Sequence, residues 1–175
     1  KPVVFFGGGD GFVYAFDPKP VRDEKEGVDF LKTVFKADLN PPEYKMKDGK
    51  PIKYPDAEGP NEINSTPVFY KIRVYVASGQ DPEHGEGVGN FWAIDASLDG
   101  DVTGKAAVWH RGGNDFHRTI STVAIHDGIV YALKELPIRV AEAEFDVLRH
   151  LEEAGLPAVR ALGLAERPEA GDAVL

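Results

Sequence analysis

The chain has 175 residues and 19.1 kDa, room for one medium domain or one and a half small ones. With 42% hydrophobic and 28% charged residues it has a globular composition, and no apolar run approaches the roughly 20 residues a membrane helix needs. A net charge of −9 argues against non-specific nucleic-acid binding, and zero cysteines exclude disulfides, thiol catalysis and Cys-ligated zinc.

Taken in chain order, the glycines Gly7-Gly8-Gly9-Asp10-Gly11 read as a turn. An alternating strand follows, Phe12-Val13-Tyr14-Ala15-Phe16-Asp17. Asp23-Glu24-Lys25-Glu26 reads as a solvated turn, and residues 40–64, rich in Pro, Gly and Lys, as an ordered surface excursion. Strands are expected next at Val68-Phe69-Tyr70 and Val74-Tyr75-Val76-Ala77, then at Phe91-Trp92-Ala93-Ile94. Between the last two lies a Gly-rich loop carrying Asp81, Glu83, His84 and Glu86. Residues 106–133 read as three further strands, the last of them Ile129-Val130-Tyr131-Ala132-Leu133. From Pro137 the period changes. Val140, Glu144, Val147, Leu148, Leu151 and Ala154 form a helical stripe over 139–154, with Gly155 and Pro157 as stop signals.

Composition breaks near residue 132. Residues 1–131 hold 17 of the 18 aromatics and 16 of the 19 glycines, whereas 132–175 hold one aromatic and 9 alanines. The first segment suits strands and turns, the second helices. Two regions are therefore expected, 1–131 and 132–175, and no Pro/Gly/Ser linker marks the join.

The first region repeats itself. Gly11 to Asp17, Gly89 to Asp95 and Gly128 to Lys134 share one pattern, and Ser65-Thr66-Pro67-Val68 recurs as Ser121-Thr122-Val123-Ala124. Recurrent short antiparallel strands separated by Asp-Gly and Gly-Gly turns are the mark of propeller blades. Ala93-Ile94-Asp95, Thr103-Gly104-Lys105 and Trp109 together resemble the tryptophan-docking motif of bacterial quinoprotein-type (PQQ-like) β-propeller repeats. An earlier copy is degenerate, with Ala15-Phe16-Asp17 and Phe35 in place of the tryptophan. The resemblance implies a mainly β fold and a partial β-propeller of antiparallel four-stranded blades. A C-terminal α-helical appendage follows from the stripe over 139–154. The blades are expected as the end of one in 2–17, a complete one in about 31–96, and three strands of another in about 106–133. Such a truncated array leaves strand edges open, so self-association through those edges, or a protein partner, is expected. It also lacks the full axial funnel in which a quinone would sit. No cofactor is expected.

The second region carries a different resemblance. Ala132-Leu133-Lys134-Glu135-Leu136-Pro137 before a helix holding Glu144 resembles the N-lobe of an uncharacterised bacterial kinase-like family. The resemblance implies that Lys134 would hold nucleotide phosphates and pair with Glu144. No His-Arg-Asp or Asp-Phe-Gly segment follows, so phosphoryl transfer is not expected. Both resemblances overlap on Val130-Tyr131-Ala132-Leu133, which reads as a join between two pieces of different origin.

The remaining site candidates are weak in spacing. Asp81, Glu83, His84 and Glu86 offer oxygen and imidazole donors to a metal, but match neither an EF-hand nor a two-histidine zinc helix, and a solvated loop is the simpler reading. His110, His117 and His126 stand near strands without a paired nucleophile and read as structural. The expected function is a non-enzymatic binding or scaffold fragment, ranked beside a chimeric chain without native activity. The alternative is a residual nucleotide-binding module using Lys134 and Glu144. The propeller resemblance implies an exported parent, yet Lys1-Pro2 leads into strand-like sequence, not a signal peptide, so localisation stays open.

Overall fold

The computed structural model describes residues 2–42, 45–51, 62–79, 89–112, 116, 119, 121–132, 135–156, 160–167, 169 and 172–174. The fold is mainly β, with antiparallel sheets and one C-terminal helix. Contacts divide the chain into two compact units, Lys1–Tyr131 and Ala132–Leu175.

The first sheet contains β1 (Val4–Gly7), β2 (Phe12–Asp23) and β3 (Val28–Asp38) as an antiparallel meander. The β1–β2 turn closes through Gly8 N–H to the Phe12 carbonyl at 2.8 Å, and Gly11 takes φ +77°, which a glycine adopts freely. Strand alternation sends Phe5, Val13, Ala15, Phe35 and Ala37 to one face and Val4, Phe6, Phe12, Tyr14 and Phe16 to the other. The first set is core. Phe35 is 2% exposed and meets Phe5 edge to face at 5.6 Å. A small hairpin follows, β4 (Met46–Lys47) and β5 (Lys50–Pro51), turned by Asp48 and Gly49, both at positive φ.

The second sheet contains β6 (Val68–Tyr70), β7 (Arg73–Ser78), β8 (Asn90–Asp95) and, after the short β9 (Gly100–Asp101), β10 (Ala107–Gly112). Its order is β10-β8-β7-β6, antiparallel throughout. Five consecutive residues of β7 are buried, because both faces of this sheet are covered. On one face Val74, Val76, Ile94 and Trp92 join Val13, Ala15, Phe35 and Ala37 of the first sheet in a single apolar cluster. On the other, Tyr75, Ala77, Phe91 and Ala93 cluster with Val123, Ile125 and Val130. The last two belong to a hairpin of β11 (Ala124–His126) and β12 (Ile129–Tyr131), whose Asp127-Gly128 turn sits at positive φ in both residues. Burying about 25 cal/mol per Å² of apolar surface, these two sheet-to-sheet layers supply the main stabilisation of the unit.

This arrangement corrects the expected blade boundaries. The all-antiparallel four-stranded sheet spans residues 68–112, not 31–96, because residues 28–38 pair with β2 and bury Phe35 beside Phe5. Strand β10 pairs with β8 and so closes this sheet; it does not open the next. The sheets remain open and no closed ring of sheets is formed among the described residues.

The second unit holds β13 (Glu135–Pro137), α1 (Ile138–Glu153), β14 (Ala165–Arg167) and β15 (Asp172–Val174), with sheet order β13-β15-β14. The helix stops in a Schellman arrangement: Gly155 at φ +67°, its N–H on the Glu152 carbonyl, and the Leu156 N–H on the Leu151 carbonyl, both at 3.0 Å. Three expectations need correction here. The region is not a bare strand and helix, because β15 pairs with β13 on one side and β14 on the other, and buries Ala173. The inward stripe is also corrected in part: Glu144, Leu148 and Leu151 face inward as expected, but Val140, Val147 and Ala154 do not. Ala141 is fully buried and Phe145, Leu148 and Leu151 are half-buried, whereas Val140 and Val147 are at least half exposed. Finally, the strand expected to run through residue 133 ends at Tyr131, and Ala132 lies outside any strand.

Candidate functional site

The face of the first sheet turned away from the second carries an aromatic ladder. Phe12 and Tyr14 stack at 5.9 Å with planes 19° apart, and Tyr14 and Phe16 at 6.0 Å and 24°. These are i, i+2 neighbours on one strand, which is why their rings stand side by side. Val4 lies opposite Phe16 and Phe6 opposite Tyr14, and both β1 residues are half or more exposed. Phe6 alone leaves 59% of its surface in water. No described residue covers this face as a second sheet does elsewhere. It is an apolar platform.

Polar groups frame the platform. The Tyr14 hydroxyl donates to Asp10 Oδ2 at 2.6 Å, and Asp10 Oδ1 accepts the Phe12 N–H at 3.1 Å. Burial, the bond to Asp10 and the Asp10 charge together push the Tyr14 phenol up to about 12. Lys36 and Asp38 stand opposite Tyr14 and Phe12 on β3, paired respectively with Asp101 and Lys45. An apolar centre within a charged, already paired rim is the layout of a protein interface.

The repeat within the chain shows what such a face receives. In register, Val4 and Phe6 opposite Phe16 and Tyr14 correspond to Val74 and Val76 opposite Ile94 and Trp92. The second group is packed against the Val13, Ala15 and Phe35 face of a neighbouring sheet. The first has the same pattern and no neighbour among the described residues.

The docking-motif residues join the two sheets. Between β8 and β10 the chain crosses to the first sheet, where β9 pairs in parallel with β3 at Phe35 and Lys36. The Val102 N–H bonds the Lys36 carbonyl at 2.9 Å, and Thr103 Oγ1 accepts the Asp38 N–H at 3.1 Å. Asp101 accepts the Thr103 N–H at 3.2 Å and meets Lys36 at 3.0 Å; the Thr103 hydroxyl and Lys36 hold its carboxyl at about 2. Asp95 is likewise lowered, by the Ser97 hydroxyl at 2.6 Å and the Ser97 N–H. Trp109 packs edge-on to Phe91 at 5.2 Å, on the side of the β11–β12 hairpin. His110 lies flat on Trp92 at 3.7 Å, with Nε2 2.8 Å from Asn90 Oδ1. His126 is at the surface, 3.3 Å from Asp127.

The other sequence candidates are not brought together. Asp81, Glu83, His84, Glu86, His117 and Lys134 lie outside the described residues. Glu144 is half-buried on α1. Among the described residues no three His, Asp or Glu side chains gather to hold a metal. The platform itself was missed in the sequence. Its signal was present: Phe12-Val13-Tyr14-Ala15-Phe16 is apolar at both parities, as in a strand with two faces to cover. No protein-family model, no curated protein and no solved structure matches the chain.

Proposed function

We propose that this chain is a non-enzymatic binding or scaffold fragment of β-propeller type, whose first sheet receives the sheet of a protein partner. One observation carries the reading: the second sheet is covered on both faces, while the outer face of the first leaves Val4 and Phe6 exposed beside the half-buried Phe12, Tyr14 and Phe16. The chemistry of the partner follows from the internal repeat. It presents small and branched apolar side chains around an aromatic one from a twisted sheet, as Val13, Ala15, Ala37 and Phe35 do toward Val74 and Ile94. The quinoprotein-like motif at Ala93, Thr103 and Trp109 supports the propeller assignment, since Thr103 ties neighbouring sheets together. Titration with the apolar dye ANS tests the platform. The wild type binds dye, Phe6→Asp binds markedly less, and Val147→Asp binds as the wild type does. A wild type that binds no dye, or binds it equally after Phe6→Asp, contradicts the proposal.

A second reading rests on the other unit, a nucleotide-binding module of kinase-like type using Lys134 and Glu144. Its support is a half-buried glutamate on the same helical stripe as Ala141 and Leu148, in a position that surface glutamates rarely take. ATP titration of the wild type against Lys134→Ala decides it. Binding lost in the variant favours the reading, and no binding by the wild type ends it.

A further inference from the structure

The β2–β3 hairpin runs well past the sheet that holds it. Pairing continues from Phe12 opposite Asp38 out to Asp23 opposite Val28, interrupted where Asp17, Pro18 and Lys19 bulge against β3. Beyond that bulge two strands form a free ribbon. Its tip is built to hold: Asp23 Oδ1 accepts the Lys25 and Glu26 N–H groups at 2.9 and 3.1 Å, and Gly27 closes the turn at φ +70°. Arg22 and Asp29 pair across it at 3.1 Å. Yet Val21, Val28, Phe30 and Leu31 are each at least two-fifths exposed. An isolated two-stranded ribbon is marginal in water, and apolar side chains on an ordered ribbon mark a surface awaiting cover.

The two edges of the ribbon differ. Pro18 and Pro20 on β2 have no N–H to offer a further strand, the usual way of blunting an edge. On β3, residues 28–33 contain no proline, and the pairing with β9 begins only at Phe35. Among the described residues no strand other than β2 lies beside them.

Charge identifies the occupant. The whole chain carries −9, so two copies repel over most of their surface. Residues 18–33 hold four basic and four acidic side chains, so the exposed apolar ribbon is electrically neutral. A partner of one sign would call for a ribbon of the other. A neutral ribbon is a stretch on which two copies of this acidic chain meet without that repulsion, through the same open edge. We infer that the β3 edge at residues 28–33 pairs antiparallel with the same edge of a second copy. With the two-fold axis at Phe30, Asp29 faces the Leu31 of the other copy. The four-stranded sheet so formed carries an unbroken apolar row of Val21, Phe30 and their two counterparts, since Val21 and Phe30 are register partners.

This pairing is independent of the platform on the first sheet, and the test separates them. Sedimentation velocity on the full chain across the micromolar range compares wild type with Phe30→Asp, Phe6→Asp and Val147→Asp. The wild type forms a concentration-dependent dimer; Phe30→Asp weakens it at least tenfold by placing two carboxylates on the axis, and the other two variants dimerise as the wild type does. Because the chain has no cysteine, Phe30→Cys adds a second readout that survives any folding defect of the aspartate variant: mild oxidation gives a disulfide-linked dimer, which Val147→Cys does not. A wild type that stays monomeric overturns the inference. So does a dimer unaffected by Phe30→Asp, or one abolished by Phe6→Asp instead.

Discussion

Thr103 Oγ1 accepts the backbone N–H of Asp38 at 3.1 Å, across 65 positions of sequence. The threonine lies on the connection between β8 and β10, the aspartate at the end of β3, so this bond fastens one sheet to the next. Replacing Thr103 by valine keeps the shape and removes the acceptor, along with the hydroxyl's exposed bond to Asp101. A loss of about 1–2 kcal/mol in urea unfolding is expected, the usual net worth of one to two hydrogen bonds, with Thr103→Ser close to wild type.

Asp101 gives this junction a pH dependence. Its carboxyl is held at about 2, below the ordinary 3.8, by the Thr103 hydroxyl and by Lys36. A folded-state pKa below the unfolded one contributes stability that is fully present above about 3.8 and is lost as pH falls toward 2. The difference in stability between wild type and Asp101→Asn is therefore constant near neutrality and narrows between these limits. Unfolding curves taken at a series of acidic pH values measure it.

Tyr14 behaves oppositely in alkali. Its phenol, raised to about 12 by burial and by Asp10, keeps its proton where an unfolded tyrosine near 10 has lost it. The stabilising contribution is thus complete below about 10 and disappears as pH rises toward 12. In an ultraviolet titration of the six tyrosines, a late phase present in the wild type vanishes in Tyr14→Phe.

The two faces of the first sheet differ sharply in what a phenylalanine is worth. Phe35, packed on Phe5 and 2% exposed, costs about 3–5 kcal/mol when cut to alanine. Phe6, uncovered on the platform, costs less than about 1 kcal/mol for the same change in the isolated chain. Denaturant unfolding of both variants reads the contrast.

Much of the fold was legible because strand alternation and turn chemistry are local. Asp127-Gly128 and Gly8 to Gly11 mark their turns unaided, and Gly155 ends α1 where its position says it should. Partner choice between strands was not legible. Residues 28–38 are equally strand-like whether they open one sheet or close another, and only the burial of Phe35 against Phe5 decides between them. The helix face was misjudged for a similar reason. Val140 and Val147 outrank Ala141 in hydrophobicity, but a small residue is what close approach to the β13 and β15 strands admits. The platform is not legible because an apolar strand face reads the same in sequence whether a second sheet covers it or not.

Hydroxyl-radical footprinting of the dilute chain, read residue by residue, tests the open platform most directly, since Phe6 and Phe35 share one intrinsic reactivity and one sheet. Rapid oxidation of Phe6 with protection of Phe35 is the predicted result. Equal protection of both would show a first sheet covered on either side, and would contradict the account.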